Sequence, residues 1–321
     1  MALLALAVCV VYYWMPKEYR APELRNRNYA VEQLTLSLGQ EGTSNETWLE
    51  VLSWSPRAFV VHNWLTDREA DHMIELARDN LDRSAVSGDS GKTVTIDKRR
   101  TSWSASLGRY HTKVIGSVQE KVALLVGYPA IHGETLKVLR YNPTEKYTPH
   151  LDAYDRERLN GAPNRALTIL MYLSEVEAGG ETNFPAGKLH PDFDSKYSER
   201  KSQETRCDGA LAYQRLWAQY IKGVRMKKDN SIKPKKGDAL VFWDLDPACV
   251  YKDMASLHEG CPVISGEKWS ATIWVREETH GQGTQGIAEV RERVRELYSP
   301  TKLETTKAGG RGLRKLNPKI Y

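Results

Sequence analysis

Cysteine is scarce in this chain, with four in 321 residues. Cys9 lies in an apolar run, so only Cys207, Cys249 and Cys261 remain, too few for a disulfide framework. A bridge from Cys261 to Cys249 or Cys207 and a set of free thiols are both open readings. Long apolar runs are also lacking. A membrane-spanning helix needs about 20 apolar residues, and the longest run, MALLALAVCVVYYWM, falls short of that. A dominant charge is missing too. The formal net charge is +5, and the segment 301–321 carries all of it, with Lys302, Lys307, Arg311, Arg314, Lys315 and Lys319 set against Glu304. The rest of the chain is balanced, which excludes a global basic field and with it a nucleic-acid partner.

What is there divides the chain into parts. Residues 1–16 read as a signal peptide or membrane anchor and 17–50 as a polar stem. Residues 51–299 form one main domain, and 300–321 a solvated basic tail. No Lys or Arg precedes the apolar run, whereas Lys17, Arg20, Arg25 and Arg27 follow it, which by charge bias alone puts the body on the cytoplasmic side. The sequon Asn45-Glu46-Thr47 has meaning only for a lumenal body. The two signals conflict.

Within the main domain, WSPRAFVVHNWL (54–65) reads as extended. Thr66-Asp67-Arg68-Glu69 is a capping box that opens a helix with Met73, Ile74, Leu76, Ala77 and Leu81 as its apolar stripe. A polar stretch over 82–99 leads to a second amphipathic helix near 111–126. From residue 135 the period changes. LKVLRY, ALTILMYL, DALVFW, CPVI and KWSATIWV are short, rich in β-branched and aromatic residues, and separated by turn signals. Strands after helices in this order predict an α+β fold, a jelly-roll (double-stranded β-helix, cupin-like) barrel core at about 135–276 with the N-terminal helices packed outside it. An insertion over 189–231 is charged and weakly patterned apart from the helical ALAYQRLWAQYI. A last helix is expected over 287–298.

Two His-x-Asp pairs occur. His190 and Asp192 sit in a solvated stretch with no strand to hold them. His150 ends the β-patterned YTPH, so it and Asp152 point to one side of an extended chain, as two ligands of one ion must. His258 is the third candidate. Two imidazoles and one carboxylate on one face of a metal leave three positions open, the arrangement of non-haem Fe(II) oxygenases; a hydrolytic zinc site is the rival. Ten residues on, Lys268, Ser270, Thr272, Trp274 and Arg276 share one face of a strand whose other face, Trp269, Ala271, Ile273 and Val275, is apolar. If the lysine face lines the barrel, the lysine needs a buried anion, and a small diacid supplies one.

These stretches resemble the prolyl 4-hydroxylases, Fe(II)- and 2-oxoglutarate-dependent dioxygenases, of the short membrane-anchored plant and algal type. The resemblance runs from Trp54 to Arg276 through RRTSW, LKVLRYNPTEKYTPHLD, ILMYLSEVEAGGETNFP, KPKKGDALVFW and LHEGCPVISGEKWSATIWV. It implies that His150, Asp152 and His258 hold Fe(II) and that Lys268, with Tyr141 and Thr182 and then Thr272, holds 2-oxoglutarate. It further implies that O2 is the oxidant, with ascorbate among the cofactors and succinate and CO2 as products. The substrate proline is expected between Tyr147 and Trp274, with Arg165, Glu134 and Arg100 contacting a proline-rich peptide. It implies an anchored enzyme of the endoplasmic reticulum or Golgi lumen, type II in topology. An oxygenase acting on another residue and a silent binding module are the alternatives. Arg276 stands where the family often has histidine, and no cysteine follows Cys261. Tyr172 and Trp243 read as core, Glu259 and Glu267 as solvated, and His62, His72, His111, His132 and His280 as ordinary surface or core residues. Nothing in the sequence fixes the oligomeric state.

Overall fold

A computed structural model of the chain describes residues 37–38, 46–87, 94–159, 161–189, 207 and 230–279. The apolar N-terminal run, the sequon asparagine, most of the stem, the helix in the 189–231 insertion, the last helix and the basic tail lie outside the described residues.

Strands β1 (Trp48–Ser55), β2 (Arg57–His62), β3 (Trp103–Leu107), β4 (Leu136–Tyr141), β5 (Tyr147–His150), β6 (Arg165–Tyr172), β7 (Thr182–Asn183), β8 (Ser231–Ile232), β9 (Ala239–Trp243), β10 (His258–Gly260), β11 (Val263–Ser265) and β12 (Lys268–Arg276) build the core. All but β11 form a large sheet, ordered β1-β2-β9-β6-β12-β4-β3, and a small one, ordered β8-β7-β10-β5, while β11 pairs with Ala178–Gly179. All neighbours among these strands run antiparallel. Two antiparallel sheets facing each other are the expected jelly roll. Within the polar stretch 82–99, Ala85–Ser87 pairs antiparallel with Val94–Ile96, strands that its polarity did not suggest.

Helices α1 (Asp67–Arg78) and α2 (Lys113–Val126) start where predicted. Thr66 accepts from the Glu69 backbone N–H while the Glu69 side chain accepts from the Thr66 N–H, so two otherwise unpaired donors are satisfied. Gly127 ends α2 in the left-handed conformation, which costs glycine nothing. Both helices cover the outer face of the large sheet. Met73 and Ala77 of α1 and Ile115 and Val118 of α2 pack there against Ile169, Ala271 and Ile273.

Strand alternation then sends every second residue of the large sheet toward the small one. Val60, Leu240 and Phe242 meet Phe184 and Ile232 in a second apolar cluster that closes one side of the space between the sheets. Leu139, Tyr141, Val176 and Val263 close another. The space left between is the site.

Candidate active site

His150 on β5 and His258 on β10 are directly opposite in register, so one strand pair of the small sheet sets the two imidazoles side by side, with ring centroids 4.2 Å apart. Asp152 follows β5 by two residues and turns into the same space. His150 Nε2 lies 3.5 Å from Asp152 Oδ1, and His258 Nε2 lies 3.6 Å from Asp152 Oδ2. Cis ligands of one transition-metal ion stand roughly 3 Å apart, and a shared ion would draw these donors that little closer.

The tautomers fit a metal as well. His150 Nδ1 donates to the Thr148 carbonyl at 2.8 Å and His258 Nδ1 to the Ser256 carbonyl at 2.9 Å. A carbonyl can only accept, so each Nδ1 carries the proton and each Nε2 presents its lone pair to the cavity. Burial, and then the neighbouring His150, push His258 down to about 4, which keeps it neutral and able to ligate. Burial alone would raise the Asp152 carboxyl. The His258 and His150 imidazoles and Arg165 outweigh it and hold the group well below the usual carboxylate range.

Asp152 is anchored by two groups of the large sheet. Trp274 on β12 donates its indole N–H to Asp152 Oδ2 at 2.9 Å, and the Thr168 hydroxyl on β6 lies 2.8 Å from the same oxygen. Thr168 is equally close to Asp244 Oδ2, also at 2.8 Å. One hydroxyl proton cannot serve two carboxylates. Burial and then the Asp152 charge push the Asp244 carboxyl well above the usual range, so Asp244 brings the second proton and the chain runs Asp244 to Thr168 to Asp152. Neither Thr168 nor Asp244 was expected from the sequence. Thr168 left a readable trace: it is a hydroxyl in the apolar ALTILMYL, on the face that Leu170 and Tyr172 share.

Lys268 opens β12 opposite Tyr141 of β4, at the inner end of the same cavity, and is 3% exposed. The cavity has a volume of about 470 Å³ with its open mouth included. Nζ donates to the Gly180 carbonyl at 2.7 Å and lies 5.5 and 5.7 Å from the rings of Tyr141 and Tyr172. Among the described residues no carboxylate pairs with it. Burial pulls this ammonium down to about 8 against the opposing pull of Glu181. Two of its protons are left to face the cavity, where a buried cation needs an anion. Thr182 and Thr272 line the wall beside it, and Thr182 accepts from Tyr172 at 3.0 Å, keeping its own proton for a ligand. A dicarboxylate with one end on Lys268 and the other on the metal donors fits this set. Tyr172, expected as core, thus orients Thr182 as well.

Tyr147 and Trp274 also line the cavity. Tyr147 stacks on His150 at 3.6 Å, with Arg100 4.7 Å over its ring, and Arg165 lies 4.0 Å over Trp274. Glu134 and Arg165 form a two-pronged pair at 2.7 and 2.9 Å, and Arg276 adds a third contact to Glu134 at 2.8 Å. Of the three residues expected at the peptide, Arg100 lines the cavity beside Tyr147, and Arg165 covers Trp274 with Glu134 tied to it.

Some expectations are corrected. Glu259 is buried rather than solvated, because Asn183 donates to it at 2.8 Å from the neighbouring strand. Glu267 is exposed, as expected, and from the surface it accepts from Arg140 at 2.6 Å and from the Trp269 indole at 3.1 Å. His62 has partners the sequence did not suggest: it lies buried between Glu50 and Asp238, 2.8 Å from each. Cys261 bridges to Cys207, and Cys249 is free.

Comparison with known proteins agrees with this geometry. Residues 136–276 match the family model described as the 2OG-Fe(II) oxygenase superfamily. The chain is 38% identical over 239 residues to probable prolyl 4-hydroxylase 10 of Arabidopsis thaliana, covering 74% of this chain and 75% of that protein. It is 39% identical over 249 residues to probable prolyl 4-hydroxylase 3 of the same plant, covering 77% of each. Among solved structures it is similar to a viral collagen prolyl hydroxylase from Paramecium Bursaria Chlorella virus-1 in its 2OG complex, with 25% identity, a TM-score of 0.46, and coverage of 68% of this chain and 95% of that one.

Proposed function

We propose, from the premise that the chain belongs to the prolyl 4-hydroxylase family of Fe(II)- and 2-oxoglutarate-dependent dioxygenases, that it hydroxylates proline at C4 in secreted, proline-rich proteins. One observation carries the reading. Three metal donors with their lone pairs free face a cavity whose inner end holds a buried ammonium without a carboxylate partner.

His150, Asp152 and His258 hold Fe(II), and Lys268 with Thr182, Tyr141 and Thr272 holds 2-oxoglutarate. When bound, iron and 2-oxoglutarate supply with O2 an oxidant that places one oxygen atom on a C–H bond, the other leaving in succinate as CO2 is lost. The protein's own work is positional. Trp274 and Thr168 fix Asp152, and the two backbone carbonyls fix the imidazoles. Tyr147 and Trp274 flank the entrance where the proline ring enters, while Arg165 and Glu134 brace that entrance. Polyproline II suits such a mouth, being already extended and exposing each ring.

A lumenal location, with the N-terminal segment as a type II anchor, is part of this proposal. The Cys207–Cys261 bridge supports it, because disulfides persist in oxidising compartments. Glycosidase treatment of protein from a eukaryotic host should shift its mass, and Asn45→Gln should abolish the shift; no shift in either protein removes this support.

The function itself is tested by succinate release from purified protein with Fe(II), ascorbate and 2-oxoglutarate. Collagen-like, arabinogalactan-like or plain poly-proline peptides should accelerate it. Silence with all three would favour a binding module.

A further inference from the structure

We propose that the peptide groove selects an acidic side chain next to the target proline, and that Lys137 is the residue that reads it. This rests on the peptidyl-proline reading above.

The argument begins with strand register. Lys137 is on β4, two residues before Leu139 and four before Tyr141, so the three share one face. Leu139 and Tyr141 line the cavity. Lys137 pairs with Thr272 of β12, itself in the cavity wall, and with Ser106 of β3. Moving along β12 from Lys268 to Trp274 runs from the co-substrate end to the entrance, and Lys137 stands beside the last part of that path. It is half-buried.

The neighbouring cations have partners. Arg165 and Arg276 share Glu134. Arg100 donates to Ser102 at 3.3 Å and covers the Tyr147 ring. The Lys137 ammonium, by contrast, makes no hydrogen bond or ion pair among the described residues. Burial weighs most against its charge, Arg100 and Arg165 then act on it as like charges, and Glu134, already holding two guanidinium groups, opposes them.

Arg100, Arg165, Arg276 and Lys137 gather at the rim of a partly desolvated groove against Glu134 and, on the metal side of Arg165, Asp152, and this excess of cations leaves a positive potential there. A ligand carboxylate is the group that would relieve it. A peptide lying across Tyr147 and Trp274 with its proline ring inside would carry a neighbouring residue from β12 over the adjoining β4, within reach of Lys137. The chemical class is therefore a proline-containing peptide with Asp or Glu beside the proline.

The test uses metal-loaded protein with 2-oxoglutarate under anaerobic conditions and C-terminally amidated, fluorescently labelled peptides that differ only in Glu or Gln beside the proline. The wild type should bind the Glu peptide about tenfold more tightly, an advantage that shrinks as salt is raised. Lys137→Gln should bring the ratio of the two affinities to about one, and Lys137→Glu should invert it. Equal affinities in the wild type, or an advantage that survives in Lys137→Gln, would overturn the proposal. Should the variants fail to fold, the wild-type ratio and its salt dependence decide alone. A third peptide, neutral but with a free C-terminal carboxylate, separates the two sources of that group. A gain confined to it assigns Lys137 to a chain end and overturns the side-chain assignment. Failure of the hydroxylase reading looks different: no proline peptide is oxidised in air, whatever the ratio of affinities.

Discussion

Thr168 has one hydroxyl proton and two carboxylate neighbours at 2.8 Å, and its removal leaves both without that contact. Thr168→Val keeps the shape of the side chain and removes the bridge, so Asp152 loses one of its two orienting donors. Loss of such an orienting partner typically costs 10–100-fold in metal affinity, and anaerobic Fe(II) titration should show a loss of about that size; unchanged affinity would mean the bridge is incidental. Lys268 leads to a pH prediction. An ammonium brought down to about 8 binds an anion only while protonated. The affinity for 2-oxoglutarate should therefore hold below that pH and fall about tenfold per unit above it. A flat profile from about pH 7 to about pH 9 would remove Lys268 from the co-substrate site.

The elements show how much the order of residues alone revealed. The capping box of α1 and the alternation along β12 were legible because each is local: one needs four residues of sequence, the other a period of two. His150 and Asp152 were legible for the same reason. The Asp244 to Thr168 chain and the carboxylate pair around His62 were not, since they join strands far apart in sequence, and only pairing reveals them. The polarity of Glu259 misled because a two-residue strand, β7, brings Asn183 against it. Turns between strands are more exacting than helix ends. Gly179 has φ +75°, and a Cβ there would stand 2.4 Å from the Pro262 carbonyl oxygen, while Gly127 has φ +74° and nothing within 4 Å. Gly127→Ala should cost about 1 kcal/mol from backbone conformation alone. Gly179→Ala adds a backbone clash and should lower the melting temperature clearly further, and equal losses would refute the contrast.

At the scale of the molecule, the large sheet, its two helices and the small sheet hold one cavity, and a disulfide ties the insertion to it. Cys261 is three residues past His258, and its bridge to Cys207 spans a sequence separation of 54. Reduction should destabilise the fold by about 2–4 kcal/mol, read as a lower melting temperature in dithiothreitol. Cys249→Ser, which touches the one free thiol among the described residues, should not reproduce that loss. The metal donors and the lysine were visible in the sequence, and the resemblance implied that one co-substrate joins them; that the joining space lies between two sheets, with β10 in one and β12 in the other, was not. The central claim concerns what that space does, and the product reports on it most directly. Mass spectrometry of a proline-rich peptide incubated with the iron-loaded protein, 2-oxoglutarate and isotopically labelled O2 should find one labelled oxygen on a proline ring at C4, and none with Asp152→Ala. A peptide returned unchanged, or oxidised at a residue other than proline, would contradict the account.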